Sequence, residues 1–218
     1  MKAIKRTLHT ISPLSLREID GVESRIITGY AILFDTPSAM LFENDGVKYY
    51  EKISPSAITR QLLDESDIKM TMFHDNHLIL ARSKKGEGTL KYDIDERGVS
   101  FEFEAPKTID GDKAIELVKR GDISGCSFAF TTHYYNRDYV EKEFSSNGDD
   151  KTLTHIVRVI TGIYDFTLTT DPAYPDTECS VEERELFGIT EETNSTNERA
   201  VHQVKEMREK ANINLLNI

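Results

Sequence analysis

Six histidines, two cysteines and a serine behind a glycine-rich turn are the residues of this chain whose types could do chemistry. The histidines are His9, His74, His77, His133, His155 and His202. His74 and His77 bracket Asp75 in the run Phe-His-Asp-Asn-His, an H-D-x-H spacing that invites a metal reading. A spacing of three brings two ligands together on a helix. The flanking Met-Thr-Met-Phe alternates like a strand, where positions three apart face opposite ways. No third or fourth ligand cluster stands beside it, so a metal-dependent hydrolase built on His74, Asp75 and His77 ranks last. On pattern alone His74 is a polar residue at a strand end.

Ser127 lies in Gly-Asp-Ile-Ser-Gly-Cys-Ser-Phe-Ala-Phe, at the start of a strand and after Gly121 and Gly125, which let the backbone approach closely or take positive φ. A serine becomes a nucleophile only with a base in hydrogen-bond reach and a third group orienting that base. Cys126 is the adjacent alternative. Neighbours on a strand point to opposite faces, so the two cannot serve one site, and Cys126 reads as a small buried hydrophobe. Asp165 sits in Thr-Gly-Ile-Tyr-Asp-Phe-Thr-Leu-Thr-Thr, an otherwise apolar and Thr-rich run where an acid is costly unless exposed or paired. Asn147-Gly148 is a strong hairpin turn signal. Folding the chain about it puts Ser127 opposite about residue 168 and sets Asp165 on the adjacent strand, at a diagonal of about 7 to 8 Å or a little more. An imidazole fits in that gap. Spacing alone still favours an outward-facing edge carboxylate. The same count points Arg158 away from Asp165 unless a bulge intervenes near Gly162.

The elements that must hold these residues read as β-rich. Residues 24 to 35 alternate, with Gly29 in mid-run. Residues 47 to 53 form a second strand, and 68 to 76 a strand ending in polar residues. The run from Thr89 to Pro106 is a hairpin about Asp95, Glu96, Arg97 and Gly98. A Ser-Pro signal at residue 54 opens one short helix. A second spans the segment around Ala114, Leu117 and Val118, closed by Gly121. Two long alternating runs flank Asn147-Gly148. Mainly strands with a few helices (α+β) suggests a closed or nearly closed β-barrel with helices packed outside. Composition shifts near residue 180. We expect residues 1–180 to form the domain. Residues 181–218 are expected to form a polar linker and a short terminal helix, striped by Val201, Val204, Met207 and Ala211, that serves as an autolytic or scaffold-docking tail or simply frays.

The whole chain has 218 residues, 38% of them hydrophobic and 30% charged, which suffices for one real core. A net charge of −11 makes nucleic acid or an anionic membrane an unfavourable main partner. No run approaches 18 apolar residues, as a membrane-spanning helix needs, and the basic start lacks the apolar run of a secretory signal. Two cysteines build neither a disulfide framework nor a zinc site. An intracellular protein with reduced thiols is expected.

Six segments in chain order carry a further signal: Gly-Tyr-Ala-Ile-Leu-Phe-Asp, Tyr-Glu-Lys-Ile-Ser-Pro-Ser-Ala-Ile, Met-Phe-His-Asp-Asn, Asp-Glu-Arg-Gly-Val-Ser-Phe-Glu-Phe-Glu-Ala-Pro, Lys-Arg-Gly-Asp-Ile-Ser-Gly-Cys-Ser-Phe-Ala-Phe, and Ile-Tyr-Asp-Phe-Thr-Leu-Thr-Thr-Asp-Pro-Ala-Tyr-Pro-Asp-Thr. Over most of residues 24 to 177 the chain resembles the tailed-bacteriophage prohead (procapsid maturation) serine proteases, related in fold to herpesvirus assemblin. The resemblance implies an assemblin-like barrel and a serine endopeptidase that cleaves the capsid scaffold, capsid-protein segments and itself. It implies His74 as general base, Ser127 as nucleophile and Asp165, where the family usually has Glu, as the orienting acid. Arg158 is the candidate for the arginine that supports the oxyanion in assemblin-like enzymes. Ala81 stands where the family commonly has Gly, and Asp171 replaces a more usual apolar residue before Pro172. Such acyl transfer needs no metal or organic cofactor. The implied partners are the phage major capsid protein and scaffold, with a homodimer left open. The implied location is the host cytoplasm, inside the assembling procapsid. The competing reading is a catalytically inactive capsid-assembly scaffolding protein with the same fold, which need not keep both His74 and Ser127.

Overall fold

In the computed structural model, residues 4–10, 14–19, 22–148 and 150–170 are described. The proposed tail, the Pro-Ala-Tyr-Pro segment and Asp171 lie outside them. Fourteen strands and two α-helices occupy the described residues. In chain order they are β1 (Ile4–Thr10), β2 (Ser15–Ile19), β3 (Val22–Leu33), β4 (Phe42–Asn44), β5 (Val47–Ile53), α1 (Arg60–Glu65), β6 (Asp67–Met72) and β7 (Asp75–Lys84). Then follow β8 (Glu87–Gly88), β9 (Lys91–Ile94), β10 (Gly98–Glu104), α2 (Ile109–Arg120), β11 (Gly125–Thr132), β12 (Val140–Asn147), β13 (Asp150–Val157) and β14 (Gly162–Thr169). No helix among these residues is long and apolar enough to cross a membrane.

The mainly-β expectation holds, but the closed barrel does not form. Three open sheets stand in its place, in the orders β1-β11-β14-β6-β7-β8, β2-β3-β10-β9 and β12-β13-β5-β4. The reason lies in the two long alternating runs. Asn136 turns the first run over: its N–H donates to His133 O, and its own carbonyl accepts from Tyr139 N and Val140 N. The second run breaks where Arg158 N donates to Tyr139 O and Thr161 N to Thr131 O. Each run therefore splits between two sheets. Its outer half, next to Asn147-Gly148, forms the β12–β13 hairpin and pairs in parallel with β5. Its inner half gives the antiparallel pair β11–β14. A ladder divided in this way has edges on both sheets and cannot close on itself.

The helices end where their sequences say they should. In α2, Thr108 caps the N-terminus by accepting from Gly111 N, Asp110 and Asp112 occupy the first turn, and Lys119 and Arg120 the last. These charges complement the helix dipole. Gly121 closes the helix at φ 77°, a left-handed cap that costs glycine nothing. The Ser54-Pro55 signal gives only a 3-10 turn. The α-helix after it starts later, with Thr59 as its cap, accepting from Leu62 N.

The six-stranded sheet segregates its side chains by face. Cross-strand pairs Phe128↔Phe166 and Cys126↔Leu168 join β11 to β14, and Phe166↔Met70 and Leu168↔Met72 join β14 to β6. All of these residues are fully buried, and they form the apolar face. On the other face the same ladder aligns Ser127↔Thr167 and Ala129↔Asp165, then Thr167↔Thr71 and Asp165↔Lys69. Period-two alternation thus packs phenylalanines and methionines on one side and leaves a small, polar layer on the other.

Candidate active site

The polar layer brings together three of the four residues singled out in the sequence. His74 Nδ1 lies 2.8 Å from Asp165 Oδ1, and His74 Nε2 lies 2.8 Å from Ser127 Oγ. A carboxylate only accepts, so Nδ1 carries the imidazole proton and Nε2 is left to accept from the Ser127 hydroxyl. Ser127 is wholly buried, the Asp165 side chain is 11% exposed and the His74 side chain 24%. The arrangement contains a hydroxyl, a base within reach of it and an acid within reach of the base.

Each residue has a structural reason for its place. Ser127 and Asp165 share one face because Ser127 pairs with Thr167, two positions along β14 from Asp165. The register is one residue off that expected from the sequence. A bulge between Ala129 and Phe130 shifts the ladder next to Tyr164, near the glycine where one was considered. His74 arrives differently. The run expected to be one strand over residues 68 to 76 ends at Met72, turns through Phe73 and His74, and returns as β7 from Asp75, with Met72 paired to Asp75. Phe73 and His74 both take φ 56°, the left-handed region that bulky residues avoid. Their amides leave the ladder and find acceptors on β14: Phe73 N donates to Leu168 O at 3.1 Å and His74 N to Thr167 Oγ1 at 2.9 Å. The turn so tethered carries the imidazole to the polar layer. The Thr167 contact is one that reading the sequence missed; its only trace there is the β-strand period linking position 167 to position 165.

The remaining candidates separate. Arg158 is not brought to this cluster. It forms an ion pair with Glu141 on the neighbouring sheet, beyond the end of β11 marked by the 2.7 Å Thr161 N to Thr131 O bond. Thr131 is four positions along β11 from Ser127, about 13 Å at the strand rise of about 3.3 Å. Cys126 is buried on the apolar face, its Sγ donating to Ser127 O at 3.5 Å. Burial pushes its thiol up to about 12, so it stays protonated and inert at neutral pH. Asp75 Oδ1 accepts from His77 N at 2.8 Å, a local turn contact. Among the described residues, no three His, Cys, Asp or Glu side chains group closely enough to hold a metal ion. Ala81 lies buried in β7 opposite Met70.

Neither the curated proteins nor the solved structures contain a match to this chain. The family model for caudovirus prohead serine protease matches residues 12–192, a span that holds every strand from β2 to β14 and the Ser127, His74 and Asp165 cluster. The chain belongs to the caudovirus prohead serine protease family.

Proposed function

We propose that the chain is the endopeptidase of procapsid maturation, with Ser127 as nucleophile, His74 as general base and acid, and Asp165 as orienting acid. The observation that carries this reading is the double 2.8 Å reach of the His74 imidazole, to Asp165 on one nitrogen and to Ser127 on the other. In this mechanism Ser127 Oγ attacks a peptide carbonyl as its proton passes to His74 Nε2. The imidazolium then protonates the leaving amine, and Asp165 holds the tautomer and stabilises the charge. Water repeats the sequence on the acyl-enzyme. The substrates are segments of the scaffold and capsid protein and the protease's own chain, inside the assembling procapsid of the host cell.

The burial of Ser127 bears on this reading. A substrate carbonyl reaches Oγ only after a local opening, on the side of the turn that bears the more exposed His74. A second reading draws support from the same burial: a capsid-assembly protein that keeps the fold without turnover.

Mass spectrometry of the wild type and Ser127→Ala, each co-expressed with its capsid protein and recovered from assembled shells, separates the two. Trimmed wild-type or capsid chains, with both left intact by the alanine variant, are expected. Identical full-length masses in both samples would remove the peptidase reading.

A further inference from the structure

We propose that Thr167 is a positioning residue for the base, an inference that rests on the triad reading above. Its hydroxyl fixes the backbone of His74 and through it the imidazole.

The argument begins with the turn. A two-residue hairpin loop with both central φ angles positive is normally filled by Asn-Gly or Gly-Gly. Here it is filled by Phe73 and His74, each at φ 56°. Such residues hold that conformation only where the surroundings impose it. The closing pair Met72↔Asp75 belongs to the ladder, but the two central amides have no partner within the hairpin. Phe73 N is taken by a backbone carbonyl, Leu168 O, which any sequence supplies. His74 N is taken by a side chain, the Thr167 hydroxyl, at 2.9 Å.

That side chain is well placed to transmit position. Thr167 is fully buried, lies two residues from Asp165 on the same face of β14, and pairs directly with Ser127 across the ladder. One short stretch of rigid strand therefore orients the imidazole from both ends. Asp165 holds Nδ1, and Thr167 holds the main chain from which the ring hangs. Without the hydroxyl the turn loses its tether at the residue that carries the base. The sheet itself loses nothing, because the ladder bonds of β14 are backbone bonds.

An internal control lies one strand away. Thr71 pairs with Thr167 on β6, is equally buried, and its hydroxyl has no hydrogen-bond partner among the described residues. Thr71→Val makes the same chemical change in the same layer without removing a hydrogen bond from His74.

The test compares Thr167→Val, Thr167→Ser, Thr71→Val and wild type. It measures the rate at which a fluorophosphonate probe labels Ser127, and kcat and KM for cleavage of a peptide from the capsid protein. Thr167→Val should lower the labelling rate and kcat by up to about 100-fold, the effect of roughly an ångström of misplacement. KM should stay within about threefold, since the hydroxyl touches no substrate. Thr167→Ser should restore the rate to within about threefold, because serine keeps the acceptor. Thr71→Val should match wild type. Thr167→Ala replaces the valine variant if that does not fold. The inference is overturned if Thr167→Val labels as fast as wild type, or if serine fails to rescue, or if Thr71→Val is as slow. Wild type that never labels at Ser127 would instead overturn the triad reading and this inference with it, so the two failures are told apart.

Discussion

Two histidines of this protein stand beside an acid in different sheets, one hydrogen-bonded to it and the other aligned with it in strand register, and they have opposite characters. In the six-stranded sheet, His74 reaches from a turn to Asp165 and Ser127, with its side chain 24% exposed. In the β12-β13-β5-β4 sheet, His155 stands in mid-strand, in direct register with Glu51 across a parallel ladder, and both are fully buried. There Glu51 accepts from the hydroxyl of Tyr134, itself almost wholly buried, and the Tyr134 and His155 rings lie 6.1 Å apart. Residue types therefore do not separate the pair proposed to react from one that only packs. What separates them is the element that carries the histidine. A strand interior fixes His155 between neighbours and closes it to any substrate. A strained two-residue turn leaves His74 partly open and aims it at a hydroxyl. Buried polar clusters of the first kind specify packing; one of the second kind has the geometry that the proposed mechanism requires.

The sharpest break between the pairs comes from their acids. Asp165→Asn keeps the shape but accepts from Nδ1–H more weakly and admits the wrong tautomer. It should lower kcat by about 10⁴-fold, the scale typical of losing the orienting carboxylate, while the melting temperature moves by only a few degrees. Peptide-cleavage kinetics alongside thermal unfolding decide it. Activity within tenfold of wild type would show that Asp165 is only a buried partner, as Glu51 is.

Glu51→Ala probes the other side. It strips Tyr134 of the buried carboxylate to which it donates and leaves a cavity beside His155. Leaving the buried Tyr134 hydroxyl without its acceptor costs about 1 to 3 kcal/mol, which urea unfolding would measure. Turnover per labelled Ser127 should be unchanged. A loss of turnover at unchanged stability would join the two regions functionally and void the comparison.

The sequence conveyed one of these regions and not the other, for physical reasons. The placement of Ser127 and Asp165 on neighbouring strands was legible to within one position of the observed register, because strand alternation and the Asn147-Gly148 turn are both local signals; spacing alone favoured an outward-facing carboxylate at Asp165, and the expected roles came only from the family resemblance. The fold class was legible from the same alternation. That the sheets stay open was not, and a barrel was expected instead, because the break at residues 133–139 carries no glycine or proline. The chain leaves one sheet for another on the strength of an asparagine turn at Asn136. The turn at His74 was hidden for a similar reason: Phe-His carries neither glycine nor asparagine to announce a turn, and tethers to β14 hold it there. His155 and Glu51 were not linked, because their register depends on a parallel pairing between segments about a hundred residues apart, which periodicity cannot reveal.

Arg158 supplies the smallest effect and the finest test of where the proposed site ends. Its guanidinium is about half exposed and paired with Glu141, whose side chain is also about half exposed. Such surface pairs contribute between about 0 and 1 kcal/mol, since solvent screens the attraction and both long side chains lose freedom in forming it. The Arg158 guanidinium pairs with Glu141 of the neighbouring sheet, and the segment that follows it meets β11 at Thr131, about 13 Å along the strand from Ser127 at the usual rise. Arg158→Ala should therefore change stability by less than about 1 kcal/mol and leave both kcat and the fluorophosphonate labelling rate within about threefold of wild type. Loss of an oxyanion donor costs about 10² to 10³ in kcat, so the two cases differ by more than any uncertainty in the assay. A drop of that size would mean that the Arg158 segment swings to the serine when substrate binds, and that the reactive region extends across the sheet boundary on which the contrast between the two histidines depends.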